Sequence, residues 1–321
     1  MHLHPAIQAL RSNPASQRRS QQTVAQEIDN WRSDASIRKL GADVLHYGQG
    51  ASIEDCTELS ELLTDQQTAL GFAESWAVCL ASLLHRFPLG EVPFRFRQSG
   101  GFSAIQLFRF GRATLSLAAY ERQAKVREPE TARFIDVETT ELIVSGRARG
   151  TLHRCSDLDG STVVETCAET WETGDRIVVQ PGETRQIVAV EGSLLMLQLT
   201  RTAIRPIATR EYALADSRLL KTASGDKRAS SELMALGVLG AMKHEAGLKV
   251  MRDIAINTER DPDLRWEAVR QTLALKPDSG IVLLGTLAQS RTDQLSQPAD
   301  KLRNELRKAH PQLASIHTEA A

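Results

Sequence analysis

Four cysteines in 321 residues are few, and none of them forms a CxxC pair. Cys56, Cys79, Cys155 and Cys167 lie far apart, which suits reduced thiols better than a disulfide framework. Long hydrophobic runs are also missing. The longest are as short as Ile281 to Leu284, so no segment is expected to span a bilayer. The opening stretch MHLHPAIQALRSNPASQRRS lacks the apolar core of a secretory signal. Its arginines and serines would suit an organellar presequence, but Glu27 and Asp29 follow closely, and it reads as a loose end. A cytoplasmic location is the resulting expectation. The formal net charge of −1 argues against a dedicated nucleic-acid binder, although a local basic patch remains compatible with it. Catalytic signatures are absent as well: there is no GxSxG, HExxH, P-loop or Ser-His-Asp order. QSGGFS, residues 98–103, has two glycines but no following Lys-Ser/Thr and no helix behind it.

What is present divides into three segments, expected as domains 1–92, 93–205 and 206–321. In the first, Val24, Ile28, Trp31, Ile37 and Leu40 recur at near-helical spacing. Ser52 with Asp55 resembles a capping-type helix start, and Phe72, Trp76, Leu80 and Leu83 mark a further helix. Pro88, Gly90 and Pro93 end that segment. GADVLHYGQG, residues 41–50, reads as a glycine-bracketed loop carrying His46 and Tyr47.

The second segment alternates with a period of two. Its expected strands are 104–110, 113–120, 141–146, 147–153, 161–167, 176–180, 185–190 and 193–200, separated by turns such as DLDGS, QPGE and VEGS. Eight short, evenly spaced strands argue for a β-sandwich or barrel. The third segment returns to helical spacing over 230–257, 261–275, 280–290 and 298–316. Asp261-Pro262 is a strong helix start. RLLKTASGDKRASS, residues 218–231, reads as a polar linker with a basic, kinase-like RASS motif.

Two stretches carry a family likeness. GDRIVVQPGETRQ and ELIVSGRARG, with their Gly-Asp and Pro-Gly turns, resemble the cupin superfamily over roughly a third of the chain. The resemblance implies a barrel holding a divalent ion on inward-facing histidines and a glutamate. The chain departs from that pattern at each histidine. None lies in residues 123–140, only Glu138 and Glu141 could match the family's glutamate, and Arg185 or Gln186 stands where the downstream ligand would be. Arginine does not ligate, being always protonated. DPDLRWEAVRQTLAL resembles a HEAT-type repeat: Asp-Pro, an arginine, then Ala-Val on the buried side. That likeness implies a protein-binding helical scaffold.

The expected fold is therefore α+β and multidomain: a central cupin-like antiparallel β-barrel flanked by an α-helical N-terminal region and a C-terminal HEAT-like helical region. The expected function is non-enzymatic, a regulatory or scaffolding protein that meets a protein partner through its helices. The barrel would serve dimerisation, as a homodimer, or the binding of a small anion. Arg95, Arg97, Arg109, Arg185 and Gln186 are the candidate anion ligands, because guanidinium forks suit carboxylates and phosphates. No cofactor is expected. The rival is a cupin-type metal-dependent dioxygenase or isomerase with a divalent metal on non-standard ligands drawn from His153, Cys155, Glu138, Glu141 and Glu183. His153 and Cys155 alternate along one strand and so face one side of it. The discriminating feature is whether any three of those five side chains share one cavity.

Overall fold

The computed structural model describes residues 15–88, 90–122, 128–158, 161–290 and 292–315. Two compact units emerge, Met1–Thr222 and Ala223–Ala321. The expected boundaries near residues 92 and 205 are not where the chain divides. The reason is shared packing: the N-terminal helices and the strands build one core, and two further strands follow residue 205.

In the first unit, helices α1 (Ala15–Ser33), α2 (Ala35–Gln49), α3 (Thr57–Leu62) and α4 (Gln66–Arg86) precede the strands. The helical pattern read as continuous over 21–40 is broken at Asp34, whose carboxylate accepts from Ser36 N and caps α2. The supposed loop 41–50 belongs mostly to α2. Its glycines act by closeness: a Cβ on Gly48 would lie 2.7 Å from Phe110 O, and one on Gly41 3.3 Å from the Phe108 ring. Glycine at these positions lets α2 lie flush on the sheet and buries Tyr47 completely. Ser52 and Asp55 do pair, Ser52 Oγ donating at 2.9 Å. The helix that follows is nevertheless capped from a distance, Asp43 of α2 accepting from Glu58 N at 2.8 Å. Helix α4 is long and apolar enough to cross a membrane by length and composition, contrary to the expectation that no segment is. Polar residues interrupt its apolar runs and hid this. Its Ala69, Ala73, Trp76 and Leu83 face inward here.

The strands are β1 (Arg95–Ser99), β2 (Phe102–Phe110), β3 (Ala113–Glu121), β4 (Thr131–Phe134), β5 (Val137–Ser145), β6 (Arg147–Leu158), β7 (Ser161–Glu172), β8 (Arg176–Val179), β9 (Glu183–Val190), β10 (Ser193–Thr202), β11 (Thr209–Ala213) and β12 (Leu219–Ala223). Every strand pair is antiparallel where its register is given. A large sheet runs β1-β2-β3-β10-β5-β8, a middle sheet β7-β6-β9 and a small one β12-β11-β4. Strand β5 leads through Gly146 into β6, and β7 leads through a short turn into β8. The pairs β5–β8 and β6–β7 thus form one long hairpin folded between the large and middle sheets. Gly146 has φ 103°, and a side chain there would strike Ser193 O, so the fold needs glycine at that bend.

Alternation assigns the faces. Leu115, Leu117, Leu142, Val144, Leu197 and Leu199 point to α1–α4. Ala118, Ile143, Leu194 and Met196 point the other way and pack on Ala148 and Trp171 of the middle sheet. The far side of the middle sheet, with Val164 and Cys155, packs on Ala132, Phe134 and Tyr212 of the small sheet. The unit is a four-layer stack of helices, large sheet, middle sheet and small sheet.

In the second unit, α5 (Lys227–Ala241), α6 (Leu248–Ile256), α7 (Pro262–Leu275), α8 (Pro277–Gln289) and α9 (Ser296–Ala309) surround Leu236, Met251, Leu264, Val269, Ile281 and Leu284. The supposed linker 218–231 is instead β12 and the start of α5, which Asp226 caps. In the RASS stretch Ala229 is buried and Ser230 Oγ donates to Asp226 O at 2.9 Å. The helix read over 230–257 breaks at Lys243, which has φ 53°. Asp261 caps α7, accepting from Leu264 N at 3.0 Å. Arg265 is fully buried; it donates to Ala255 O at 2.9 Å and forms a fork with Asp293. Asp293 in turn accepts from Leu295 N at 3.0 Å, so one guanidinium ties the end of α6, the helix α7 and the approach to α9.

Candidate functional site

The space between the large and middle sheets is where an inward-facing glutamate meets residues from β9. Glu141 on β5 and Arg185 on β9 both face it. The register sets this: Glu141 lies opposite Gln198 and Ile177, and Arg185 lies opposite Leu152. Their side chains are 1% and 7% exposed and form a two-pronged ion pair, with Arg185 Nε and Nη2 each donating to a carboxylate oxygen. Gln198 donates its amide to the same carboxylate. Arg185 also contacts Met196 Sδ at 3.4 Å, sits 6.0 Å from the Trp171 ring centroid and lies beside the Tyr120 hydroxyl. Burial alone would lower the pKa of Arg185. The charge and hydrogen bonds of Glu141 outweigh that and hold it above the ordinary arginine value. Both charges are neutralised and bonded where they lie, which is what a buried ion pair requires.

A metal does not fit this donor set. Among the described residues Glu141 is the one carboxylate placed in the centre, and three donor groups of the protein already saturate it. A permanently protonated guanidinium stands beside it where a cation would have to sit. The other members of the alternative ligand set are dispersed. Glu138 lies three residues from Glu141 and so faces the helical layer. It is bound there to Arg201, Nη2–Oε2 2.7 Å, and Arg201 stacks on Tyr47 with 4.1 Å to the centroid. Glu183 pairs with Arg154 at 2.8 Å at the end of β9. His153 and Cys155 face the small sheet. His153 is completely buried, its Nε2 hydrogen-bonded to Thr151 Oγ1 at 2.9 Å and its Nδ1 to Thr166 Oγ1 at 2.8 Å. Burial holds its pKa below 6.5. Among the described residues no three His, Cys, Asp or Glu side chains come together as a metal-binding group.

The anion candidates also separate. Arg185 and Gln186 are neighbours and point to opposite faces of β9, and Gln186 donates to Thr131 O at 2.9 Å across to the small sheet. A cavity of about 410 Å³ lies beside β9, lined by Tyr120, Thr131, Arg185, Gln186 and their neighbours; Arg95, Arg97 and Arg109 are not in its wall. Those three are exposed on the β1–β2 hairpin. Gln198, Tyr120, Trp171, Thr151 and Thr166 were not singled out in the sequence. Gln198 had a signal, a lone amide inside the apolar run LLMLQL. The thiols of Cys56 and Cys79 are pushed up by burial, which opposes thiolate chemistry.

No protein-family model matches the chain, and no curated protein matches it. Solved structures match over part of it. The 7S globulin of Momordica charantia is 20% identical over 37% of this chain and 35% of its own, with a TM-score of 0.27. KdgF from Halomonas sp. is 14% identical over 34% of this chain and 86% of its own, with a TM-score of 0.25. The vicilin from Solanum melongena is 16% identical over 37% of this chain and 32% of its own, with a TM-score of 0.27. The match thus spans about a third of the globulin and vicilin chains. Likenesses of this size carry no argument about the site, whose chemistry rests on its own geometry.

Proposed function

We propose that the protein is a non-catalytic scaffold: a cupin-like barrel closed by its own ion pair, joined to a HEAT-like helical unit that binds a protein partner. The observation that carries this reading is the Arg185–Glu141–Gln198 cluster. Arg185 and Gln198 together occupy the carboxylate of Glu141 between the two sheets, which supports a barrel whose one inward glutamate is spent on the protein's own donors rather than on a metal. Arg185 is therefore a structural cation in this reading rather than a receptor for an anion. The helical unit supports the second half. Met234, Val238 and Met242 form an exposed apolar row along and just past α5, the kind of surface that protein partners cover.

The test is elemental analysis of the intact, untagged protein by inductively coupled plasma mass spectrometry, before and after mild chelation. Metal far below one equivalent in folded protein is expected. Near-stoichiometric iron, manganese, nickel, copper or zinc that resists chelation would overturn the reading.

A further inference from the structure

The large and middle sheets do not cover each other fully, and their uncovered parts carry opposite charge. Strand β1 is the outer strand of the large sheet, and all five of its residues are exposed. The register Arg95↔Gln106, Arg97↔Ala104 and Arg109↔Thr114 puts the three arginines on the face that looks away from the helices. None of the three has an ion-pair partner among the described residues. Arg97 rests on the Phe102 ring, 4.8 Å from its centroid. Phe96, on the other face of β1, is 61% exposed.

The acidic counterpart is β7, the outer strand of the middle sheet. Residues 165–170 are all exposed. Glu165 and Glu169 share a face with Trp171, the face turned toward the large sheet, yet both are exposed. Arg154 lies opposite Glu165 and is itself paired with Glu183, which leaves this edge net acidic.

We infer that two copies of this chain associate through these overhangs, the arginine face of β1–β2 in one copy lying against the glutamate-bearing strand β7 of the other. Charge complementarity selects this arrangement. Direct pairing of β1 with β1 of a second copy would bring Arg95 and Arg97 against their own counterparts, and like charges across a strand pair destabilise it. Reciprocal contacts, each copy offering both surfaces, close a two-fold pair without an open-ended chain.

The experiment is sedimentation velocity on the full-length protein at low and high salt. Two charge-reversed variants are run alone and mixed: Arg95→Glu with Arg97→Glu, and Glu165→Lys with Glu169→Lys. These positions are exposed, so both variants keep the wild-type melting temperature, checked by circular dichroism. The wild type sediments as a dimer that weakens with salt. Each variant alone loses affinity about tenfold or more, and the equimolar mixture recovers association, because both contacts of the mixed pair bring opposite charges together. A wild type that stays monomeric at about 100 μM in low salt overturns the inference. So does a dimer that neither variant weakens, or a mixture that associates no better than its parts.

Discussion

Among the described residues each unit buries one arginine–carboxylate fork, and the two forks do different things. In the helical unit Arg265 and Asp293 are 1% and 3% exposed and 28 residues apart. Their remaining capacity goes to main chain, through Ala255 O and Leu295 N, so the pair functions as a strut between successive helices. In the β unit Arg185 and Glu141 are 44 residues apart and meet only when the large and middle sheets close. Their remaining contacts are side chains: Gln198, Met196 and the Trp171 ring. The first pair fixes local helix geometry. The second fills the space between the large and middle sheets. A buried guanidinium is therefore not one device: its role follows from what occupies the donors and acceptors that the carboxylate leaves over.

The comparison is broken most severely in the helical unit. Arg265→Met leaves Asp293 buried without its cation and Ala255 O without its donor, at a cost of about 3–5 kcal/mol. Early hydrogen exchange in peptides from α6 to α9, with the peptides of the β unit unchanged, is the expected readout. Loss of protection in both units together would deny the strut its local role.

A smaller effect separates the two forks further. Gln198→Leu takes one donor from Glu141 and leaves the Arg185 fork intact, so about 1–2 kcal/mol is lost in urea unfolding followed by circular dichroism. A loss as large as that of removing Arg185 would mean that the amide, not the guanidinium, satisfies the carboxylate.

The smallest effect is a pH slope. Burial holds His153 below its unfolded value of 6.5. As pH falls through that value the unfolded chain takes up a proton that the folded one refuses, so stability declines with falling pH. His153→Gln removes that part of the slope. Asp293 acts in a separate, more acidic window. Its hydrogen bond from Arg265 depresses its pKa below 3.8, and the stability it gives is lost only as pH falls past that value toward the folded one. Urea midpoints from pH 7.5 to pH 5 check the histidine; no flattening in His153→Gln would contradict its buried, neutral state.

The sequence made the strands of the first unit legible because they alternate strongly. All eight expected strands are present, several of them longer than read. β1, β4, β11 and β12 were not seen, and the reason differs in each case. RFRQS is exposed at every position and has no buried alternate, TARF is four residues long, and TREYA and LLKTA sit in polar surroundings. The Asp-Pro start of α7 was legible because the cap is written within one segment, whereas the burial of Arg265 against Asp293, 28 residues on, was not. The glycines of α2 were misread as loop signals because the object they approach, Phe108 to Ala113, lies some sixty residues away. For the site, the missing histidines and the presence of Arg185 were plain in the sequence. That Arg185 would turn to Glu141, while Gln186 turned away to Thr131, depends on the register of β9 against β6, which no local pattern carries.

The central claim is that Arg185 and Glu141 form a structural unit that joins the large and middle sheets, and a double-mutant cycle tests it most directly. Unfolding free energies are measured for wild type, Arg185→Met, Glu141→Leu and the double variant. Each single change strands a buried charge and costs about 3–5 kcal/mol, whereas the double, with both charges replaced by apolar side chains, returns close to wild type. Single variants that lose almost nothing, or a double that loses the sum of the two, would contradict the account.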